Sequence, residues 1–128
     1  MTEDSDGARP KPPRVTGVKH FFAAAGYSGA GLRRLWAEAA FRHEILAAVA
    51  AICLLAFVRA TAAEFAGFAV LALLLVATEA LNTALECIVD HLSPDWSEFA
   101  RDAKDLGSLA VMCLLIANGV FLGAVVFW

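Results

Sequence analysis

Phe65-Ala-Gly-Phe-Ala-Val-Leu-Ala-Leu-Leu-Leu-Val-Ala-Thr-Glu-Ala-Leu-Asn-Thr-Ala-Leu-Glu-Cys-Ile-Val-Asp90 decides how this chain is built. The run Phe65 to Ala77 has no polar side chain and leads straight into Glu79, Asn82, Glu86 and Asp90. On a helix, residues three, four and seven apart share a face, so these four form one polar stripe. Leu81, Leu85, Ile88 and Val89 lie off it. Carboxylates attached to a membrane-spanning helix are expensive and mark function by default. Three explanations compete at this point: a proton or ion path, a polar seam between subunits, and a catalytic site with metal.

Composition supports a membrane setting. The chain has 128 residues, one small domain, and is 60% hydrophobic. Its mean hydropathy of +0.68 is too apolar for an ordinary soluble domain. Between Ile45 and Val89 only Arg59, Glu64, Glu79 and Glu86 are charged, and Gly107 to Trp128 carries no charge. Net charge is −3, and no basic cluster suggests a nucleic-acid partner. Cys53, Cys87 and Cys113 are widely separated in apolar stretches and read as buried packing residues.

The expected architecture is all-α. Residues 1–16, polar and carrying Pro10, Pro12 and Pro13, read as a disordered tail with no cleavable signal. Residues 17–128 form a single membrane-embedded domain. Gly17 to Arg42 is helical in pattern but too polar to cross. It is expected to lie in the interfacial plane as an amphipathic surface helix, with a break or close packing near Gly26, Gly29 and Gly31. About 20 residues cross a hydrocarbon core, which places spans at about 45–63, 65–90 and 106–128. Thr61 to Glu64 reads as a hairpin connection. Ser93 reads as a helix N-cap with Pro94 after it, and Asp95 to Asp105 as a charged segment before the last span. Lys19, Arg33, Arg34, Arg42, Arg101 and Lys104 lie on one side and Arg59 on the other. The positive-inside rule therefore puts the N-terminus and the 90–105 connection in the cytoplasm and the C-terminus outside, in the periplasm.

The neighbours of the stripe favour phosphoryl transfer. Ala103-Lys-Asp-Leu-Gly-Ser108 opens the last span on the same side. Lys104 supplies a compact ammonium for phosphate, and Ser108, four residues on, shares its face. Glu38 adds a carboxylate at similar depth. The plainer readings are an interfacial Lys104–Asp105 charge pair and a solvated Glu38. Mg²⁺ is held by one or two carboxylates together with substrate phosphates, and phosphoryl transfer needs charge neutralisation plus a group to position the attacking hydroxyl. Glu79 is the deeper carboxylate, suited to a lipid hydroxyl. Glu86 is the shallower, suited to a nucleotide's metal. No phosphate-binding Gly-x-x-x-x-Gly-Lys loop and no soluble-kinase signature is present.

Glu79-Ala-Leu-Asn-Thr-Ala-Leu-Glu-Cys-Ile-Val-Asp90, followed by Ala103-Lys-Asp-Leu-Gly-Ser-Leu-Ala-Val111, resembles the pattern E-x-x-N-[ST]-A-[IL]-E-x-x-[VI]-D then A-K-D-x-[GA]-[SA]. That pattern is the mark of the prokaryotic integral-membrane diacylglycerol kinases, a family that includes the undecaprenol kinases. Ala24-Ala-Gly-Tyr-Ser28 and Glu38-Ala-Ala-Phe-Arg-His-Glu44 resemble its Gram-negative branch. The resemblance implies an inner-membrane enzyme that uses ATP and Mg²⁺ to convert diacylglycerol to phosphatidate. It implies Glu79 as catalytic base and Glu38 and Glu86 as ligands of the metal accompanying ATP. Tyr27, Asp95, Trp96, Ser97, Lys104 and Asp105 would border or contact the nucleotide. Asn82 would help position phosphate or the lipid substrate, and Ser28 and Ser108 would lie beside the lipid. It further implies a homotrimer with sites shared between subunits, which suits a polar stripe that three spans cannot enclose alone. The same chemistry on undecaprenol is the close alternative. A small oligomeric proton or cation transporter is the distant one, and the apolar outer half of the second span argues against a through-going polar path.

Overall fold

The computed structural model describes residues 17–128. The expected 1–16 tail lies outside them, as do the side chains of residues 18–21. Among the described residues there are four helices and no strands: α1 Val18–Trp36, α2 Ala39–Phe57, α3 Ala62–Leu92 and α4 Glu98–Phe127. The last three are long and apolar enough to cross a membrane. At about 1.5 Å per residue α2 is ~28 Å long, close to the hydrocarbon thickness, whereas α3 and α4 exceed it at ~45 Å. Both are longer than an upright crossing needs.

The N-terminal helix ends at Trp36, earlier than the expected boundary at Arg42. Ala37 keeps right-handed helical angles as the C-cap, and Glu38 breaks the helix, extended at φ −76° and ψ 130°. The Arg42 guanidinium donates to the carbonyls of Trp36 and Ala37, both at 3.0 Å, satisfying orphan acceptors at the end of α1. Phe41 is fully buried and meets Trp36 edge-on, with ring centroids 6.2 Å apart. Gly26, Gly29 and Gly31 neither break α1 nor mark close packing. The helix runs through them, and the space where each Cβ would stand is open.

Two connections also differ from expectation. Thr61 to Glu64 is the first turn of α3, not a hairpin. Thr61 Oγ1 accepts from the Glu64 N–H (3.3 Å) and the Glu64 carboxylate accepts from the Thr61 N–H (2.6 Å), a reciprocal cap. The preceding turn is closed by Ala60 N to Leu55 O (2.9 Å) and Arg59 N to Ala56 O (3.2 Å), a pattern that favours a left-handed residue at Arg59. Arg59 has φ 57°. Arg59→Gly is expected to raise the stability of the chain in detergent micelles by about 1 kcal/mol, since glycine adopts that conformation without Cβ strain. A thermal unfolding midpoint checks this.

At the other end, Ser93 closes α3 and does not open the next helix: its N–H donates to Val89 O at 2.8 Å. Ser97 is the N-cap of α4, accepting from Ala100 N at 3.2 Å. Thus α4 starts at Glu98, not near Leu106. The charged segment is helical because a cap, not a hydropathy boundary, decides where a helix starts.

Antiparallel α3 and α4 form the main packing pair. Two glycines let them approach: a Cβ on Gly67 would lie 2.9 Å from the Phe121 ring, and one on Gly107 would collide with Asn82 Oδ1. Small residues at such crossings are how membrane helices gain packing contact. Asn118 Nδ2 donates to Leu114 O (2.8 Å) and across to Leu71 O (3.4 Å). A core of Ala51, Leu55 and Phe68 joins α2 to this pair. Leu73, Leu81, Ile116, Val120 and Phe127 are exposed, an apolar surface too extensive for a water-facing monomer. The three cysteines are exposed as well, contrary to the packing expected of them, because the helices bury only narrow seams.

Candidate functional site

α3 presents its polar stripe to α4 and to the α1–α2 junction. Glu79 is only 6% exposed, and Thr83, one turn along, is equally buried. Asn82 Nδ2 donates to Glu86 Oε1 at 3.1 Å, so one turn of helix ties the amide to the shallower carboxylate. A cavity of about 300 Å³ opens over this face. Glu79, Asn82, Thr83 and Glu86 form one wall, Ser108 and Val111 of α4 a second, and Glu38 and Glu44 a third. Of the residues expected at the site, Glu38, Glu79, Asn82, Glu86 and Ser108 are therefore brought together.

Glu44 and Thr83 are additions. Glu44 stood in view at the edge of the first apolar run, but only packing shows that it turns inward. It lines the carboxylate cavity and two apolar cavities of about 430 and 220 Å³. Glu44 Oε2 and Asn82 Oδ1 are buried without a hydrogen-bond partner. Unpaired buried oxygens are costly and call for explanation. Asn82 Oδ1 is covered by Gly107, so its burial follows from the close approach of α3 and α4.

The other expected residues fall elsewhere. Asp95, Trp96, Ser97, Lys104 and Asp105 line a second cavity of about 350 Å³ around the α3–α4 connection. Lys104 does not pair with its neighbour Asp105. Its Nζ reaches across to Asp90 Oδ1 at 2.5 Å. Ser93 Oγ donates to Asp95 O (3.1 Å) and meets Ser97 Oγ at 2.8 Å, which shapes this wall. The two cavities lie about one helical turn apart along α3 and α4, since Glu86 and Ser108 line the first and Asp90 and Lys104 the second. Tyr27 and Ser28 are exposed on α1 and line neither cavity. The Ser28 hydroxyl donates to Ala24 O within its own helix.

No group of three or more His, Cys, Asp or Glu side chains among the described residues is arranged to hold a metal. The donor set of the first cavity nonetheless fits a hard cation. Glu38 and Glu86 line it with carboxylates, whereas Asn82 Oδ1 is buried against Gly107 of α4. Mg²⁺ takes one or two carboxylates and completes its shell with phosphate and water.

Residues 26–127 match the family model described as prokaryotic diacylglycerol kinase. Relatives named diacylglycerol kinase include one from Sinorhizobium sp, 51% identical over 115 residues covering 90% of this chain and 84% of that protein. The one from Escherichia coli K12 is 35% identical over 115 residues, covering 89% of each. That from Haemophilus influenzae is 34% identical over 116 residues, covering 90% of this chain and 98% of its own length. A match across nearly the whole described chain, together with a carboxylate-lined cavity toward one end of three apolar helices, places this protein in the prokaryotic diacylglycerol kinase family.

Proposed function

We propose that this chain is a lipid kinase of the bacterial inner membrane, transferring the γ-phosphoryl group of ATP to the primary hydroxyl of diacylglycerol to give phosphatidate. The observation that carries this reading is the buried Glu79 sharing one cavity with Glu38 and Glu86 where apolar helix surface gives way to charge. Glu79 accepts the hydroxyl proton as the hydroxyl oxygen bonds to the γ-phosphorus. The bond from that phosphorus to the β,γ-bridging oxygen breaks, and ADP leaves. Glu38 and Glu86 would hold Mg²⁺ together with the triphosphate. When bound, that ion neutralises charge on the phosphates.

Asn82, anchored on Glu86, orients phosphate or lipid at the rim, and Ser108 faces the lipid hydroxyl. Lys104, Asp105 and the Asp95-Trp96-Ser97 wall receive the nucleotide, with Lys104 exchanging Asp90 for phosphate oxygen. Tyr27 and Ser28, which line neither cavity, serve the nucleotide and lipid once neighbouring copies of α1 and the bundle close around the groove. The working unit on this reading is a homotrimer, and the exposed apolar faces supply its contacts. α1 lies as an amphipathic helix on the cytoplasmic surface. Arg33, Arg34, Arg42, Arg101 and Lys104 at one end, against Arg59 at the other, support a cytoplasmic site and periplasmic C-terminus.

The test offers diacylglycerol and undecaprenol together to the purified protein in mixed micelles with γ-labelled ATP. Labelled phosphatidate that appears only with Mg²⁺ is the expected product. Label mainly in undecaprenyl phosphate would reassign the substrate. Cation flux in proteoliposomes with no lipid labelling would reject kinase chemistry.

A further inference from the structure

A cation that the reaction above leaves unused is bonded to one of the carboxylates lining the cavity. Arg34 is in the last turn of α1. Its Nη1 is bonded to the Glu38 carboxylate, and its Nη2 lies 3.9 Å from Cys87 Sγ on α3. The guanidinium thus bridges the α1–α2 junction and the residue beside Glu86. Its side chain is about half exposed, at 52%.

The other cations with described partners are engaged elsewhere. Arg42 caps α1. Arg101 pairs with Asp102 and Glu98. Lys104 pairs with Asp90 in the second cavity. Arg34 has five N–H donors, and a thiol is a weak acceptor for those on Nη2. A guanidinium fork matches two phosphate oxygens far better than it matches sulfur. Four carboxylates around the cavity oppose entry of a triphosphate, and a cation bonded to one of them offsets that repulsion.

We propose that Arg34 is a positioning residue for the nucleotide: it holds the Glu38 carboxylate that lines the cavity, and on nucleotide entry its guanidinium passes to a non-reacting phosphate oxygen. This rests on the kinase reading given above. A purely structural role predicts little, because an exposed i, i+4 ion pair contributes almost nothing to stability.

The experiment compares wild type with Arg34→Ala, Arg34→Gln and Arg34→Lys. It measures KM for ATP and for diacylglycerol, kcat, the unfolding midpoint, and equilibrium binding of a fluorescent non-hydrolysable ATP analogue in EDTA. Arg34→Ala and Arg34→Gln should raise KM for ATP roughly 10-fold, the scale of one charge-assisted hydrogen bond. They should weaken analogue binding to match, with KM for diacylglycerol and the midpoint unchanged. Arg34→Lys should recover part of the loss, keeping charge without the fork. Wild-type analogue binding in both neutral variants would overturn the inference, as would equal losses for both substrates with a lowered midpoint. Should wild type bind the analogue yet phosphorylate no lipid, the kinase reading fails, while weaker binding by Arg34→Ala still supports Arg34 as a phosphate contact.

Discussion

Glu79→Gln is expected to leave the helices intact and to slow phosphatidate formation by about 10²–10⁴-fold, the usual contribution of a positioned general base. Glutamine keeps the shape of the side chain and removes only the ability to take a proton. Glu79 is almost fully buried, and a neutral amide is cheaper to bury than a carboxylate. The variant should therefore unfold at the same temperature as wild type or higher. KM for ATP should hold steady while kcat falls, because the lost interaction acts on the lipid hydroxyl as it is attacked. Wild-type turnover by Glu79→Gln would remove Glu79 from the reaction.

The second large effect concerns Glu86. Glu86→Ala deletes a proposed Mg²⁺ ligand and strips Asn82 Nδ2 of its acceptor. An activity loss of ~10²-fold or more is expected, since disturbing only the outer shell of a metal site already costs about 10–100-fold. Glu86→Gln separates the two causes. Its amide oxygen can still accept from Asn82, but its charge is gone. If metal ligation dominates, Glu86→Gln should remain as impaired as Glu86→Ala, and both should need more Mg²⁺ in a titration of activity. Recovery by Glu86→Gln at ordinary Mg²⁺ would show that Glu86 acts chiefly by orienting Asn82.

Some failures of sequence reading had local signals that hydropathy masked. Ser97-Glu-Phe-Ala100 is a serviceable helix start, yet the charges after it suggested a connection. Hydropathy marks where lipid ends, and α4 continues past that level by some two turns, which carry Glu98, Arg101, Asp102, Lys104 and Asp105. Thr61-Ala-Ala-Glu64 is likewise a capping signature at the end of an apolar run. Arg34 and Glu38 have the spacing of a helical ion pair, but nothing along the chain says that this pair borders the stripe on α3.

By itself the sequence determined the apolar lengths of three spans and the common face of Glu79, Asn82, Glu86 and Asp90. Both follow from the rise and period within a single helix, which neighbours do not alter. Tertiary structure decided that Glu38 and Glu44 turn toward Glu79, that Lys104 reaches Asp90 and not Asp105, and that Tyr27 and Ser28 stay outside both cavities. Those outcomes depend on how helices are rotated and slid against one another. Close approaches such as Gly107 on Asn82 and Phe121 on Gly67 help to set that register, and they join residues far apart in the chain whose meeting no local pattern specifies.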